Sequence, residues 1–189
     1  MGQEVCENSL DGQNAGNERV MRCPPLDIPY ANDRDQLVEI IRQSSQITHA
    51  DPRCTIGCAI LNLTIAGLLT DAETPLQDAL DYVDENAPDE LMAALAPIAQ
   101  GDSPDTLETS GYVVHSLQTL LHDGLNATSA EEAIVTAVNR GGDTDTIGAI
   151  AGAVAGARFG AAALPSRWSS AIDETEELES LANQLVEMA

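Results

Sequence analysis

The stretch Arg140-Gly141-Gly142-Asp143-Thr144-Asp145-Thr146 runs directly into Ile147–Gly160, a segment rich in alanine and glycine whose only charge is Arg158. Gly141 and Gly142 permit backbone conformations closed to other residues, so the chain can turn sharply before Asp143. Asp143 to Thr146 then fall in the first turn of a helix, where side-chain oxygens satisfy orphan backbone amides. Two carboxylates and two hydroxyls in four residues also form an all-oxygen set suited to a hard cation such as Mg²⁺. Taken alone, the stretch supports two readings: a cation site, or a helix start capped by Asp143 or Thr144.

The helix that follows repeats glycine at Gly148, Gly152, Gly156 and Gly160. Each costs about 1 kcal/mol of helix propensity against alanine, which predicts a compensating close approach by another helix or a ligand. Small residues at this spacing also favour helix pairs in lipid. Arg158, the aspartates at the start and the shortage of Leu and Ile argue instead for a buried helix of a soluble protein.

Working outward, the 189 residues suffice for one domain with one substantial core. Aromatic residues make up 3% and hydrophobic residues 43%, mostly Ala, Leu, Ile and Val, a balance that favours helices packed through small side chains. There are 31 acidic residues against 8 basic ones, every one of them arginine, for a formal charge of -23. The acids are spread along the whole chain, which points to a salt-rich (halophile) environment more than to a local docking tail. With no basic stripe to neutralise phosphates, nucleic acid is not an expected partner. Cys6, Cys23, Cys54 and Cys58 are too few and too unevenly spaced for a secreted disulfide scaffold, and Cys54 and Cys58 read as small buried hydrophobes. The N-terminus has no basic start followed by an apolar core, so a cytoplasmic location is expected and no membrane partner.

Periodicity predicts helices throughout. Asp33 or Asn32 caps one from about Arg34 to Gln46; Cys54 to Leu69 is nearly all apolar and reads as a central buried helix. Thr74-Pro75 opens another and Asp89 to Ile98 forms a short one near Pro97. Gly111 to His122 is amphipathic with Gly124 as its stop, and a capping box at Ser129 to Glu132 opens a helix that delivers the glycine pair. His115 and His122 share a face with no evident Asp or Cys partner. Near the C-terminus, Leu178, Leu181, Leu185 and Met188 form one stripe from about Glu174, read as packing. Met1 to Glu18 is polar and reads as a flexible lead-in, with residues 19–189 as the helical domain.

The run Val138 to Ala157, with Gly141-Gly142-Asp143-Thr144-Asp145-Thr146 at its centre, closely resembles the C-terminal metal motif of the ADP-ribosylglycohydrolase family, which includes the dinitrogenase-reductase-activating glycohydrolases. The Asp-x-Asp motif of haloacid-dehalogenase-type phosphatases differs: it ends a hydrophobic strand and works with a later lysine, and this chain has no lysine. Further similarity lies in Gly16-Asn17-Glu18-Arg19-Val20-Met21-Arg22, in Thr48-His49, in Gly111-Tyr112-Val113 and in Pro165 to Trp168. In the first of these, Glu18 and Arg19 replace the family's small residues and stand to intrude on a ligand or re-aim the loop.

The resemblance implies an all-α, orthogonal multi-helix bundle. It also implies metal ligands at Asp143, Asp145 and Thr146, two Mg²⁺ or Mn²⁺ ions in a complete site, and ligand contacts from Asn17 and His49. Read without it, Asn17 in a glycine-rich turn is a turn former and His49 a helix-end residue. The implied reaction is metal-assisted hydrolysis of the bond joining ADP-ribose to a protein side chain, acting on an ADP-ribosylated protein or an ADP-ribose-like small molecule. The family also carries a Gly-Asp-Ala-x-Gly stretch and a Thr-Asp-Asp motif that complete the metal site, and neither occurs in Met1 to Glu18. The expectation is therefore a truncated bundle lacking the N-terminal helices, with no general base assigned and a complementary N-terminal segment as partner. A non-catalytic ADP-ribose-binding remnant and a structural helical interaction protein are the alternatives.

Overall fold

The computed structural model describes residues 15–48, 51–83, 85 and 87–189. Among them there is no β-strand, only an isolated bridge between Gly16 and Tyr112, so the fold is all-α as expected. The short helix α1 (Asp27–Tyr30) follows a 3-10 turn at Pro24–Leu26, and α2 (Arg34–Gln46) is capped by Asp33, whose carboxylate accepts from the Gln36 amide at 3.0 Å. Next comes α3 (Pro52–Leu69), which carries no charge after Arg53 and is buried on nearly every side. By length and composition α3 could cross a membrane, but 78% of it is buried inside the fold, as a core helix would be.

Packed around α3 are α2, α4 (Pro75–Val83), α6 (Val113–Asn126) and α8 (Thr144–Phe159), while α5 (Asp89–Ala99) lies on α6. The core between them is closed by leucines and isoleucines such as Ile41, Leu61, Leu95, Leu117 and Ile150, each without measurable exposure. Burial of such side chains is the main favourable term, about 1.5–3 kcal/mol apiece. Cys23, Cys54 and Cys58 are buried with no exposure, consistent with the reading of Cys54 and Cys58 as small apolar residues.

Two helices flank the glycine pair. The Ser129 hydroxyl accepts from the Glu132 amide at 3.1 Å, and Glu132 reaches back to the Thr128 amide at 2.7 Å, one residue earlier than an ideal capping box. This starts α7 (Ala130–Asn139), which packs against α8 and also against α6. After α8 come a 3-10 turn at Ala161–Ala163, a single helical turn α9 (Ser166–Ser169) and α10 (Thr175–Val186).

Three local expectations change. Gly124 does not stop α6, which continues to Asn126; a Cβ on Gly124 would stand 2.7 Å from Val154 Cγ1, so its glycine serves close packing of α6 on α8. Within α8, only Gly148 meets the expected close neighbour, with Val138 3.1 Å from its missing Cβ. Gly152 and Gly156 face open space along an apolar groove of about 820 Å³. The stripe Leu178, Leu181 and Leu185 lines the opposite wall of that groove, and no residue of α10 is buried.

Candidate metal and ligand site

Gly141 and Gly142 have φ of 82° and 73°, the left-handed region that the sequence demanded of them. At Gly142 the requirement is doubled, because a Cβ there would lie 2.0 Å from the Thr109 carbonyl oxygen, which also accepts the Asp143 amide at 3.3 Å. The loop is tied from its other side by Arg140, whose Nε and Nη2 bond the two oxygens of buried Asp123 on α6 at 2.6 and 2.7 Å. A bidentate charged pair of this kind fixes orientation as well as position.

Asp143 is the N-cap residue of α8 yet makes no side-chain bond to the helix amides, so capping does not account for its carboxylate. Asp145 lies fully exposed on the first turn, and the Thr146 backbone N–H, followed by the neighbouring Asp143 carboxyl, holds it below the usual carboxylate range. Thr146 is 5% exposed and its hydroxyl donates to Met21 Sδ at 3.5 Å. Spending the proton on sulfur leaves both lone pairs of the hydroxyl oxygen available.

Asn17 sits opposite. It is 1% exposed, and its Nδ2 donates to Asp143 Oδ2 at 2.7 Å and to Ser116 Oγ at 2.8 Å. Its backbone N–H bonds the Gly111 carbonyl at 3.0 Å, and the Val113 N–H bonds Ala15 at 2.9 Å. Asn17 and Met21, from one end of the sequence, thus meet Asp143 and Thr146, from the other. The stretch Ala15 to Asn17 is built into this site, inside the span read as lead-in.

The neighbouring departures are also accounted for. The Glu18 side chain folds back toward Gly16 at the surface. Arg19 turns inward, 8% exposed, and bonds Ser44 on α2 through Nη2, so it does not intrude at Asp143. His49 lies outside the described residues. Sequence reasoning missed Ser110 and Ser116, whose polar atoms organise the Asn17 side, and Arg53, which bonds Asp51 at 2.7 Å and the Tyr112 hydroxyl at 3.0 Å. Nothing in the sequence singled out Ser116, because the buried face of α6 also carries Thr119 and Asp123. His122, read as lacking an acidic partner, has one in Asp123, with Nδ1 and Oδ1 3.0 Å apart.

Among the described residues, no group of three or more His, Cys, Asp or Glu side chains is placed to hold a metal ion. What the loop offers is two neighbouring carboxylates and a hydroxyl, with neither carboxylate in an ion pair among the described residues. Two neighbouring carboxyl groups and a hydroxyl form an all-oxygen donor set that fits a hard ion retaining most of its water.

A family model for ADP-ribosylglycohydrolase matches residues 2–189. The chain belongs to the ADP-ribosylglycohydrolase family. It is 28% identical over 168 residues to the ADP-ribosyl-[dinitrogen reductase] glycohydrolase of Rhodospirillum rubrum, a match covering 88% of this chain and 53% of that protein. It is 29% identical over 187 residues to the ADP-ribosylarginine hydrolase Tri1 of Pseudomonas putida (strain GB-1), covering 97% and 49%. A solved ADP-ribosylglycohydrolase-related protein complex superposes with a TM-score of 0.82 at 28% identity, over 99% of this chain and 67% of that one. The chain spans about half the length of the curated relatives it matches. Within this ADP-ribosylglycohydrolase fold, the Gly-Gly-Asp-Thr-Asp-Thr loop and the Asn17 segment lie in hydrogen-bond contact with each other.

Proposed function

We propose that this chain takes part in the hydrolysis of the bond between ADP-ribose and a protein side chain or a related small acceptor, with a divalent cation, Mg²⁺ or Mn²⁺, at Asp143, Asp145 and Thr146. The observation that carries the reading is the meeting of Asn17 and Met21 with Asp143 and Thr146, which joins the two sequence signatures at one place. The named relatives are ADP-ribosyl hydrolases, which supports the same reaction class. When bound, such a cation supplies Lewis acidity and lowers the pKa of water. The chain's own residues divide the remaining work. Asp143 and Asp145 furnish negative charge where a cation docks, the loop held by Thr109 and Arg140 keeps them in register with α8, and His49 is the proposed contact to ADP-ribose.

Two carboxylates and a hydroxyl leave much of a cation's shell to water or to further oxygen donors, so a second reading, ADP-ribose binding without cleavage, stands beside the first. Both are tested on one preparation in molar salt. Mg²⁺ or Mn²⁺ is expected to raise the melting temperature, and Asp143→Ala with Asp145→Ala is expected to abolish that shift. ADP-ribose release from a modified protein is then measured by mass spectrometry, for the chain alone and with a supplied segment carrying a Thr-Asp-Asp motif. Release in either case supports hydrolysis; calorimetric binding of ADP-ribose without release supports the second reading; neither binding nor release sinks both.

A further inference from the structure

We infer that Asn17 is a positioning residue for Asp143, its buried amide fixing the direction of that carboxylate. This rests on the cation site proposed above, and it differs from the ligand contact that family resemblance implies for Asn17. An Asn amide nitrogen carries two N–H groups. Here one is directed at Asp143 Oδ2 at 2.7 Å and the other at Ser116 Oγ at 2.8 Å, with the Ser110 carbonyl at the margin, 3.5 Å away. The Ser116 hydroxyl passes its own proton to the Ser110 carbonyl at 3.1 Å, which leaves its oxygen as an acceptor for Asn17. The direction of the relay is thus fixed: amide to serine, serine to carbonyl. Turning the amide over would set its oxygen against the Asp143 carboxylate, so only one orientation is compatible with the charge.

The side chain is 1% exposed and both of its N–H donors are spent inside the protein, so the nitrogen has nothing left to offer a ligand. What it does offer is a neutral donor to a carboxylate that has no capping bond of its own. Pinning Oδ2 restricts rotation of the carboxylate and leaves Oδ1 for the cation. Removing a partner of this kind lowers metal affinity by about 10- to 100-fold in characterised sites.

The test uses the full chain and Mn²⁺ as probe, with free Mn²⁺ read by electron paramagnetic resonance, and ADP-ribose affinity measured separately without metal. Asn17→Ala is expected to weaken Mn²⁺ binding by about 10-fold or more and to leave metal-free ADP-ribose affinity within about twofold. Because Asn17 is buried, Ser116→Ala serves as the second variant. It leaves Asn17 and Asp143 in place but removes the amide's other anchor, and a weaker loss of Mn²⁺ affinity in the same direction is expected. Native Mn²⁺ affinity in both variants, with Asp143→Ala abolishing binding, overturns the positioning role and leaves the cation site standing. Unchanged binding in Asp143→Ala removes the site and this role together. Loss of ADP-ribose affinity with Mn²⁺ affinity intact returns Asn17 to a ligand contact.

Discussion

Gly142 stands at φ 73° with the Thr109 carbonyl oxygen 2.0 Å from where a Cβ would be, whereas Gly141, at φ 82°, has nothing within 4 Å. The two adjacent glycines are therefore constrained for different reasons, and alanine separates them. Gly141→Ala is expected to cost about 1 kcal/mol, the strain of a left-handed backbone. Gly142→Ala adds displacement of the Thr109 carbonyl and loss of its bond from Asp143, for about 3 kcal/mol in total. Urea unfolding of both variants checks this, and equal costs would mean that Thr109 does not press on the loop. The glycine pair was legible in the sequence because only glycine occupies such φ freely. Asn17 was legible as a motif but its contact with Asp143 was not, since nothing in a linear sequence tells which carboxylate a buried amide will face.

A second residue shows where the sequence was silent. Asp27 has no exposure, neither carboxylate oxygen has a hydrogen-bond partner, and burial, with the nearby Cys23 next, pushes its pKa to about 10. The folded state thus holds a proton that the unfolded chain, with a pKa near 3.8, releases. Its contribution to stability is full below about pH 3.8 and is lost progressively as pH rises toward about 10. Asp27→Asn removes that dependence. The variant is expected to gain on the native chain by at least about 1 kcal/mol between about pH 5 and pH 8, a gap that widens with pH. Parallel pH profiles for the two proteins would show that Asp27 is solvated and ionised.

At the scale of elements, the helices were readable where periodicity and capping agreed. Asp33, Ser129 and the apolar run of α3 each produced the element expected of them. Boundaries failed where glycine has two meanings: Gly124 looks like a stop but is a contact surface for Val154, a distinction that depends on α8 and not on α6. The reverse holds on α8 itself. Gly152 and Gly156 look like contact positions, yet they border the groove facing α10 and have no neighbour within 4 Å. With room for a methyl group and no positive φ, alanine at each is expected to stabilise α8 by about 1 kcal/mol, or about 2–4 °C in melting temperature. The double variant Gly152→Ala/Gly156→Ala should therefore melt several degrees higher. A lower melting temperature would reveal that something closes on this face in solution.

For the whole molecule the governing quantity is charge. The 31 acidic residues outnumber the 8 arginines nearly four to one, and several of those arginines are committed elsewhere. Arg140 and Arg53 pair with Asp123 and Asp51, while Arg158 bonds the carbonyls of Gly124 and Ala127 and Arg22 that of Glu18. The surface therefore repels itself, and the repulsion opposes folding because the unfolded chain spreads the same charge over a larger volume. The screening length falls from about 30 Å at 0.01 M salt to about 10 Å at 0.1 M and about 3 Å at 1 M. Most of the relief should accordingly arrive before about 1 M, and should depend on ionic strength and not on the identity of the anion. Between about 0.05 M and 1 M KCl the melting temperature is expected to rise by about 10 °C, equivalent to a few kcal/mol for a chain of this size. KCl and the less strongly excluded salt NaBr should give the same curve over that range. A flat profile, or a rise that begins only above about 1 M and follows the order of anion exclusion from the surface, would place the salt effect in hydration of apolar area and not in charge.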